Sequence, residues 1–459
     1  MGNYDTDFSA SCILNAISEG GARIHFVGIL GAGMLPLARL MAHRGMRVSG
    51  TDVKAPPDIS ALSSYDIDFT PHHTARGLEG TRLMVYSLAV PPDTAELAYA
   101  RARGIPTVTR AELLGAVASE YKTSIAVAGT HGKSTTVALL SKILTDAGYS
   151  PTIISGAPLT AGDSLQIGGG DVFVAEACEY KNAFHSLKPT LALVTNIDFD
   201  HVDFFSDVGE VRKSFSTFLS SARDGFINLS CHQSRRLLEN AGCNITTYGT
   251  EGADYALIWY SLGAYKTDFL LKINGAVYDF SLSVIGRGCL YDAVGAIAVA
   301  HSLGVPVSKI QASVAAFSGI ERRTEYLGSI DGRAVYYDYA HHPTEIENTV
   351  SALTCRHGAV SVIFRPHTYS RTAALMDGFV RAFSNVECLA LLDVFAAREN
   401  PQIGGMSEDL ASRVGENVHL CKAENALDLI LSHSSGAIVL MGAGEVDNLL
   451  SEIKKRLDA

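Results

Sequence analysis

The sequence predicts an α/β protein of three domains built on doubly wound, largely parallel sheets. Three observations carry that expectation: apolar runs of strand length alternate with helical segments, two glycine-rich turns sit at strand-to-helix junctions, and the alternation restarts near Ala334. With 459 residues the chain has room for about three cores at roughly 150 residues each.

Residues 23–27 read as a strand, 34–44 as a helix and 47–52 as the next strand, a βαβ unit. The pattern recurs with a strand at 124–128 and a helix at 134–147. Residues 172–175 and 191–195 then add two apolar strands that end in polar residues, as in a parallel sheet. From Ala334 the rhythm resumes with strands at 334–337, 360–364, 388–394 and 437–441, separated by helical segments. The domains are placed at 1–110, 111–322 and 323–459, although no linker composition marks 109–122 or 317–324.

Acidic residues outnumber basic ones 48 to 37, a formal net charge of −11, which disfavours a nucleic-acid partner. Hydrophobic residues at 47% and charged ones at 19% describe an ordinary folded protein. The first ten residues hold two aspartates and no basic cluster, so they do not read as a signal peptide. Apolar stretches such as 26–42 are broken by Gly, Pro and Arg, and no membrane span is expected. Eight scattered cysteines without a CxxC pair fit a reducing cytoplasm.

The strongest motif runs from Gly129 through Thr130, His131, Gly132, Lys133 and Ser134 to Thr135, between an expected strand and an expected helix. Glycines let backbone N–H groups turn toward phosphate oxygens, the helix N-terminus adds its dipole, Lys133 brings a cation and Ser134 a hydroxyl for Mg²⁺. A strict phosphate loop would have its first glycine at position 127, which is Val127. A glycine-rich turn is the bland alternative; nucleoside triphosphate binding is the working premise.

Gly28, Gly31 and Gly33 form a second glycine turn after the first strand, with Asp52 ending the next one. A pyrophosphate fits such a turn, but the G-x-x-G-x-G spacing departs from the dinucleotide fingerprint, so an NAD enzyme is only weakly signalled. Glu176 ends one strand, and Asp198, Asp200, His201 and Asp203 follow another. Strand ends hold ligands in open α/β sheets, and Glu176 with His201 suits Mg²⁺ beside a triphosphate. Asp198 and Asp203 are equally well read as surface carboxylates. Two later clusters, Arg322–Glu325 with Asp338–Glu345 and Arg365–Thr372, lie at the third domain's entrance and strand ends, where their basic groups could close over a nucleotide. The paired His341 and His342 have no His/Cys spacing for a closed zinc site.

Together, HFVGILGAGM from His25, AGTHGKST from Ala128, EACEY from Glu176, TNIDFDHVDFF from Thr195, DYAHHPTE from Asp338 and RPHTYSRT from Arg365 resemble the Mur ligases, ATP-dependent amino-acid ligases of peptidoglycan precursor synthesis. The likeness spans nearly the whole chain and is nearest to the members that join L-alanine to UDP-N-acetylmuramate. It implies an N-terminal Rossmann-like domain for the UDP-sugar, a central P-loop ATPase domain and a C-terminal Rossmann-like domain for the amino acid. It implies ATP and Mg²⁺ as cofactors, a cytoplasmic monomer or homodimer, and an acyl-phosphate route to the amide.

By the same resemblance, Lys133 and Mg²⁺ at Ser134 and Glu176, with a second Mg²⁺ at His201, offset the charge of two meeting anions. Thr135, Asp292, Arg323 and Asp338 belong to the nucleotide site. His342, His367 and Arg371 line the facing substrate side, and Gly28, Gly31, Gly33, Met34 and Asp52 take the UDP-sugar. The chain also departs from the family. Where a Gly-x-His-Asn-x-x-Asn stretch is usual, it reads Gly286-Arg287-Gly288-Cys289-Leu290-Tyr291-Asp292. Leu30 replaces a glycine, Leu35-Pro36 replace small residues, and Thr368 stands where arginine is common. An ionised Asp292 accepts hydrogen bonds but cannot donate as the amide does. A ligase with another substrate, or a catalytically silent binding paralogue, therefore stays open beside the L-alanine ligase.

Overall fold

Short apolar runs with few polar interruptions have no solvent face to offer, so they form strands covered on both sides. The computed structural model, which describes residues 10–18, 20–53, 60–159, 163–444 and 446–457, places them in three sheets. Residues 1–9, read above for a leader, lie outside the described residues.

The first sheet is parallel, in the order Asp68–Pro71, Arg47–Asp52, Arg23–Val27, Thr81–Tyr86, Thr107–Thr109. Its strand order reverses beside Arg23–Val27, which puts the Gly28 turn at the switch point where such sheets hold ligands.

The second sheet has ten strands. Its parallel part runs Tyr255–Leu262, Asn244–Gly249, Asp224–Asn228, Leu191–Val194, Thr123–Ala128, Val172–Ala177, Thr152–Ile154. Thr267–Ile273 and Ala276–Leu282 extend it as an antiparallel meander, and Leu165–Gln166 closes the other edge. The meander is absent from the sequence expectation of a parallel sheet, so the central sheet is mixed.

The third sheet runs Glu325–Ile330, Arg333–Asp338, Ala437–Gly442, Val360–Arg365, Leu389–Leu391, Val418–Leu420, parallel except for its first strand. The strand expected over 388–394 is short because beyond Leu391 the chain leaves the sheet and makes a single bridge, His367 with Phe395.

The N-terminal and central domains share one apolar core, in which Leu113 and Leu114 meet Phe184 and Phe215. Helix Arg110–Ala118 lies at their junction, so close that a Cβ on Gly115 would stand 2.2 Å from Ser186 O. Arg39 adds a two-pronged bond to Asp163 at 2.7 and 2.6 Å, its guanidinium 4.4 Å from the Tyr65 ring centroid. No helix among the described residues is long and apolar enough to cross a membrane.

Candidate functional site

Strand Thr123–Ala128 ends in the Gly129–Gly132 loop, and helix Lys133–Asp146 begins directly after it. Both glycines are required by the backbone. Gly129 has φ +149° and a Cβ there would lie 1.8 Å from Thr195 Oγ1; Gly132 has φ +80° and its Cβ would lie 2.2 Å from Asp292 Oδ1. Gly132, as N-cap, offers no side chain, so the first N–H groups of the helix stay open for an anion. The neighbouring strand end moulds the loop: Thr195 Oγ1 and Asn196 Nδ2 donate to His131 O at 2.6 and 2.9 Å, and His131 N donates to Asn196 Oδ1 at 2.9 Å. Val127, at the position of the missing first glycine, is a fully buried strand residue.

Lys133 Nζ lies 3.0 Å from Glu179 Oε2 and also donates to the Thr130 carbonyl. Burial works against the ammonium, but Glu179 outweighs it and holds Lys133 above its ordinary pKa. Glu179 is itself buried; against that burial, Lys133 and His201 keep its carboxyl below the usual range. His201 Nε2 is 3.6 Å from Glu179 Oε1, and His201 takes a left-handed φ of +52°, a conformation uncommon outside glycine and suited to a constrained site. Sequence reasoning missed Glu179: of the two acids in EACEY it singled out Glu176, because Glu176 ends the apolar run.

Glu176 is inside strand Val172–Ala177 and accepts from Ser155 Oγ and Gly156 N at 2.8 and 2.7 Å, both on Oε1. Ser134, Glu176 and His201 line one cavity of about 340 Å³ together with Thr130, Lys133, Arg323 and His341. A hydroxyl, a carboxylate with Oε2 outside those bonds and an imidazole make an oxygen-rich set that fits Mg²⁺ beside phosphates. Ala32 of the first glycine turn also reaches this cavity.

The C-terminal domain closes the site through charged pins. Arg371 donates to Asp200 at 2.8 and 3.3 Å, and although burial opposes it, the guanidinium drives the Asp200 carboxyl far below its ordinary range. His131 stands 3.5 Å from both Asp198 and Glu345; the two carboxylates outweigh burial and raise the imidazole to about 9. Arg323 bonds Glu345 at 3.1 Å.

Several sequence-named residues sit elsewhere than expected. His342 does not face the cavity: it caps helix Pro343–His357, its Nδ1 accepting from Thr344 N, and its Nε2 is 3.2 Å from Phe199 O. His341 takes the place on the cavity wall. Asp338 accepts from Thr324, Ala340 and Thr349, all within the C-terminal domain, and does not line the cavity. His367 accepts from Arg371 Nη1 at 2.8 Å and lies behind it. Met34 is buried in the N-terminal core, and the Asp52 carboxylate takes the Leu30 N–H at 3.0 Å, so both shape the first turn. Thr135 is nearly buried, 9% exposed, and does not line the cavity. Asp203 accepts from Tyr180 OH at the surface, whereas Asp198 joins the domains by accepting from Thr344 Oγ1 at 2.7 Å. His131, Asp198 and His342 have ligand-type atoms within 4.8 Å, but Thr344 already occupies Asp198 and His342.

A second cavity, about 330 Å³, adjoins the first at His131 and Gly132 and is lined by Asn228, Cys231, Arg287, Tyr291, Asp292 and Asn348. Asp292 and Gly288, two of the departures noted above, are on its wall.

Three family models match the chain in succession: the Mur ligase family catalytic domain over residues 23–122, the Mur ligase middle domain over 127–300 and the Mur ligase glutamate ligase domain over 322–444. The UDP-N-acetylmuramate–L-alanine ligase of Clostridium novyi is 34% identical over 445 residues, covering 94% of this chain and 97% of that protein. The protein of the same name from Lachnospira eligens is 36% identical over 454 residues, covering 94% and 98%. Among solved structures, the UDP-N-acetylmuramate-alanine ligase of Thermotoga maritima superposes with a TM-score of 0.80 at 24% identity, over 95% of this chain and 99% of that one. A murein peptide ligase from Psychrobacter arcticus superposes at 0.73 with 22% identity, again over 95% and 99%. At these identities the two structures speak to the fold.

Proposed function

The chain belongs to the Mur ligase family, and from that premise we propose that it joins L-alanine to UDP-N-acetylmuramate with cleavage of ATP to ADP and phosphate. The observation that carries the reading is the single cavity in which Lys133, Glu176 and His201 of the central domain meet Arg323 and His341 of the C-terminal domain. The relatives' names supply the substrates.

In this reading a muramyl carboxylate oxygen attacks the γ-phosphorus and ADP leaves; the L-alanine amine then attacks the acyl carbon, loses a proton, and phosphate departs with that oxygen. The open N–H groups at the start of helix Lys133–Asp146 and the Lys133 ammonium hold the phosphates. Arg323 adds charge from the third domain, where it stabilises the transition state only when the domains meet. Glu179 keeps Lys133 protonated and aimed. Ser134, Glu176 and His201 would hold Mg²⁺, which when bound neutralises charge on the phosphates. Arg371 acts through Asp200, and His342 through the helix it caps, so both position the wall. The turn at Gly28, Gly31 and Gly33 takes the UDP pyrophosphate. A closed cavity protects the acyl phosphate from water. The reaction belongs in the cytoplasm, where the cysteines, all unpaired, stay reduced.

The test is phosphate release from Mg-ATP with UDP-N-acetylmuramate and L-alanine, glycine, L-serine or no amino acid, with Lys133→Ala as the blank. Release that needs both UDP-N-acetylmuramate and L-alanine supports the reading. Release with another amino acid alone shifts the substrate, and none above the blank favours a silent paralogue.

A further inference from the structure

An amino acid that reacts through its amine keeps its α-carboxylate as an anion throughout. That anion needs a cation, best a guanidinium that can take both oxygens. Lys133, Arg323 and Arg371 are already paired with Glu179, Glu345 and Asp200. Thr368 stands where arginine is common in the family, so that position brings no charge either.

The segment around Thr368 is paired to a second loop. Thr368 N donates to Phe395 O at 2.9 Å, and Phe395 N donates to Pro366 O at 2.8 Å. Glu399 pins the far side of that loop by accepting from Ser370 N at 2.9 Å. Between them Ala397 takes a left-handed φ of +52°, uncommon for alanine. The turn leaves Arg398 exposed, with no hydrogen bond or ion pair among the described residues.

This loop meets the cavity from two sides. Within the C-terminal domain the ring centroids of Phe395 and His367 are 5.6 Å apart, and those of His367 and His341 are 5.8 Å apart, with His341 on the cavity wall. Across the domain boundary the charge of Arg398 reaches Tyr180, whose ring centroid is 4.8 Å from that of His201 on the same wall. Asp203, the acid at this spot, accepts from the Tyr180 hydroxyl at 2.7 Å and makes no ion pair with Arg398.

We propose that Arg398 takes the α-carboxylate of the incoming amino acid, supplying from a neighbouring loop the cation that position 368 does not. The proposal rests on the ligase reading above and adds a specificity residue to it: the site then demands an amine that carries a free α-carboxylate.

The experiment is steady-state phosphate release by the full chain with saturating Mg-ATP and UDP-N-acetylmuramate, comparing L-alanine with L-alaninamide, which has the amine but no carboxylate. The readout is the ratio of the two kcat/KM values, because losses of folded protein and changes at the phosphates affect both amines alike. The expected result is a preference for L-alanine that falls by about 10- to 100-fold in Arg398→Gln. Arg398→Lys falls between, since it keeps the charge and loses the fork. Arg322 also lines the cavity, so Arg322→Gln is the rival variant. A ratio unchanged in Arg398→Gln, or lowered as far by Arg322→Gln, overturns the proposal and keeps the ligase reading. If another amino acid is the substrate, the same ratio is taken with it and its amide. A protein that forms no amide with any amino acid removes the ligase reading and the proposal with it.

Discussion

Lys133 Nζ lies 3.0 Å from Glu179 Oε2, and the carboxylate is all but inaccessible to water, so the P-loop cation arrives with its own counter-ion. An unpaired ammonium there would lose its proton to escape desolvation. Glu179 prevents that and, through His201 at 3.6 Å, ties the P-loop to the far wall of the cavity.

Glu179→Gln keeps the side chain's shape but removes the charge. The expected loss is about 10- to 100-fold in kcat/KM with a weaker response to Mg²⁺, because Lys133 and His201 lose their orienting partner. Glu179→Ala leaves the Lys133 ammonium, 17% exposed, without its counter-ion and costs about 1–3 kcal/mol of stability. Steady-state phosphate release at several Mg²⁺ concentrations and urea denaturation check the two.

Gly129→Ala forces a Cβ within 1.8 Å of Thr195 Oγ1 at a φ that L-residues avoid. It should abolish measurable ATP binding, with backbone strain alone costing about 1–3 kcal/mol. Gly148→Ala is the comparison: φ is +92° but nothing lies within 4 Å, so it should lose some stability and keep ATP binding. Calorimetric titration with Mg-ATP separates them.

Arg371 and Asp200 are 8% exposed each and bond across 171 residues of sequence. Removing either leaves the other charge buried, so Arg371→Ala and Asp200→Ala each destabilise strongly, while the double variant loses less than the sum by roughly 0.5–3 kcal/mol. A denaturation cycle of the four proteins measures that coupling. Additive losses mean that the pair does not hold the domains together.

Stability should peak near neutral pH. His131 is raised to about 9, so its contribution is complete below the ordinary value of 6.5 and is lost as pH climbs through about 9. Burial lowers His25 and His341 to about 4; their contribution is complete above 6.5 and is lost as pH falls toward 4. The lowered Asp200 and Glu179 carry the loss further into acid. Thermal unfolding from about pH 4 to 10 shows both limbs, and His131→Gln flattens the alkaline one.

Much of this was legible in residue order. The strand Arg23–Val27 coincides with the expected one, and the Gly129–Ser134 motif lies at a strand-to-helix junction, because both signals are local. What sequence hides is pairing at a distance. His341 and His342 are neighbours in the chain with identical side-chain chemistry, and the structure separates them: His342 caps helix Pro343–His357 while His341 lines the cavity. Asp338 looks like a free acid at a strand end until Thr324 and Thr349, on separate elements, donate to it. The meander of Thr267–Ile273 and Ala276–Leu282 alternates as strands should, but the repeating β-to-α rhythm drew attention to the parallel part of the sheet.

The central claim is that the muramyl carboxylate itself attacks ATP in this cavity. The direct measurement uses UDP-N-acetylmuramate labelled with ¹⁸O in its carboxylate, together with ATP, Mg²⁺ and L-alanine, and mass analysis of the phosphate released. The account predicts that each phosphate carries one oxygen from the carboxylate, at half the label of a fully exchanged carboxylate only if one of its two oxygens was labelled. Unlabelled phosphate, released by attack of water on ATP, would contradict it.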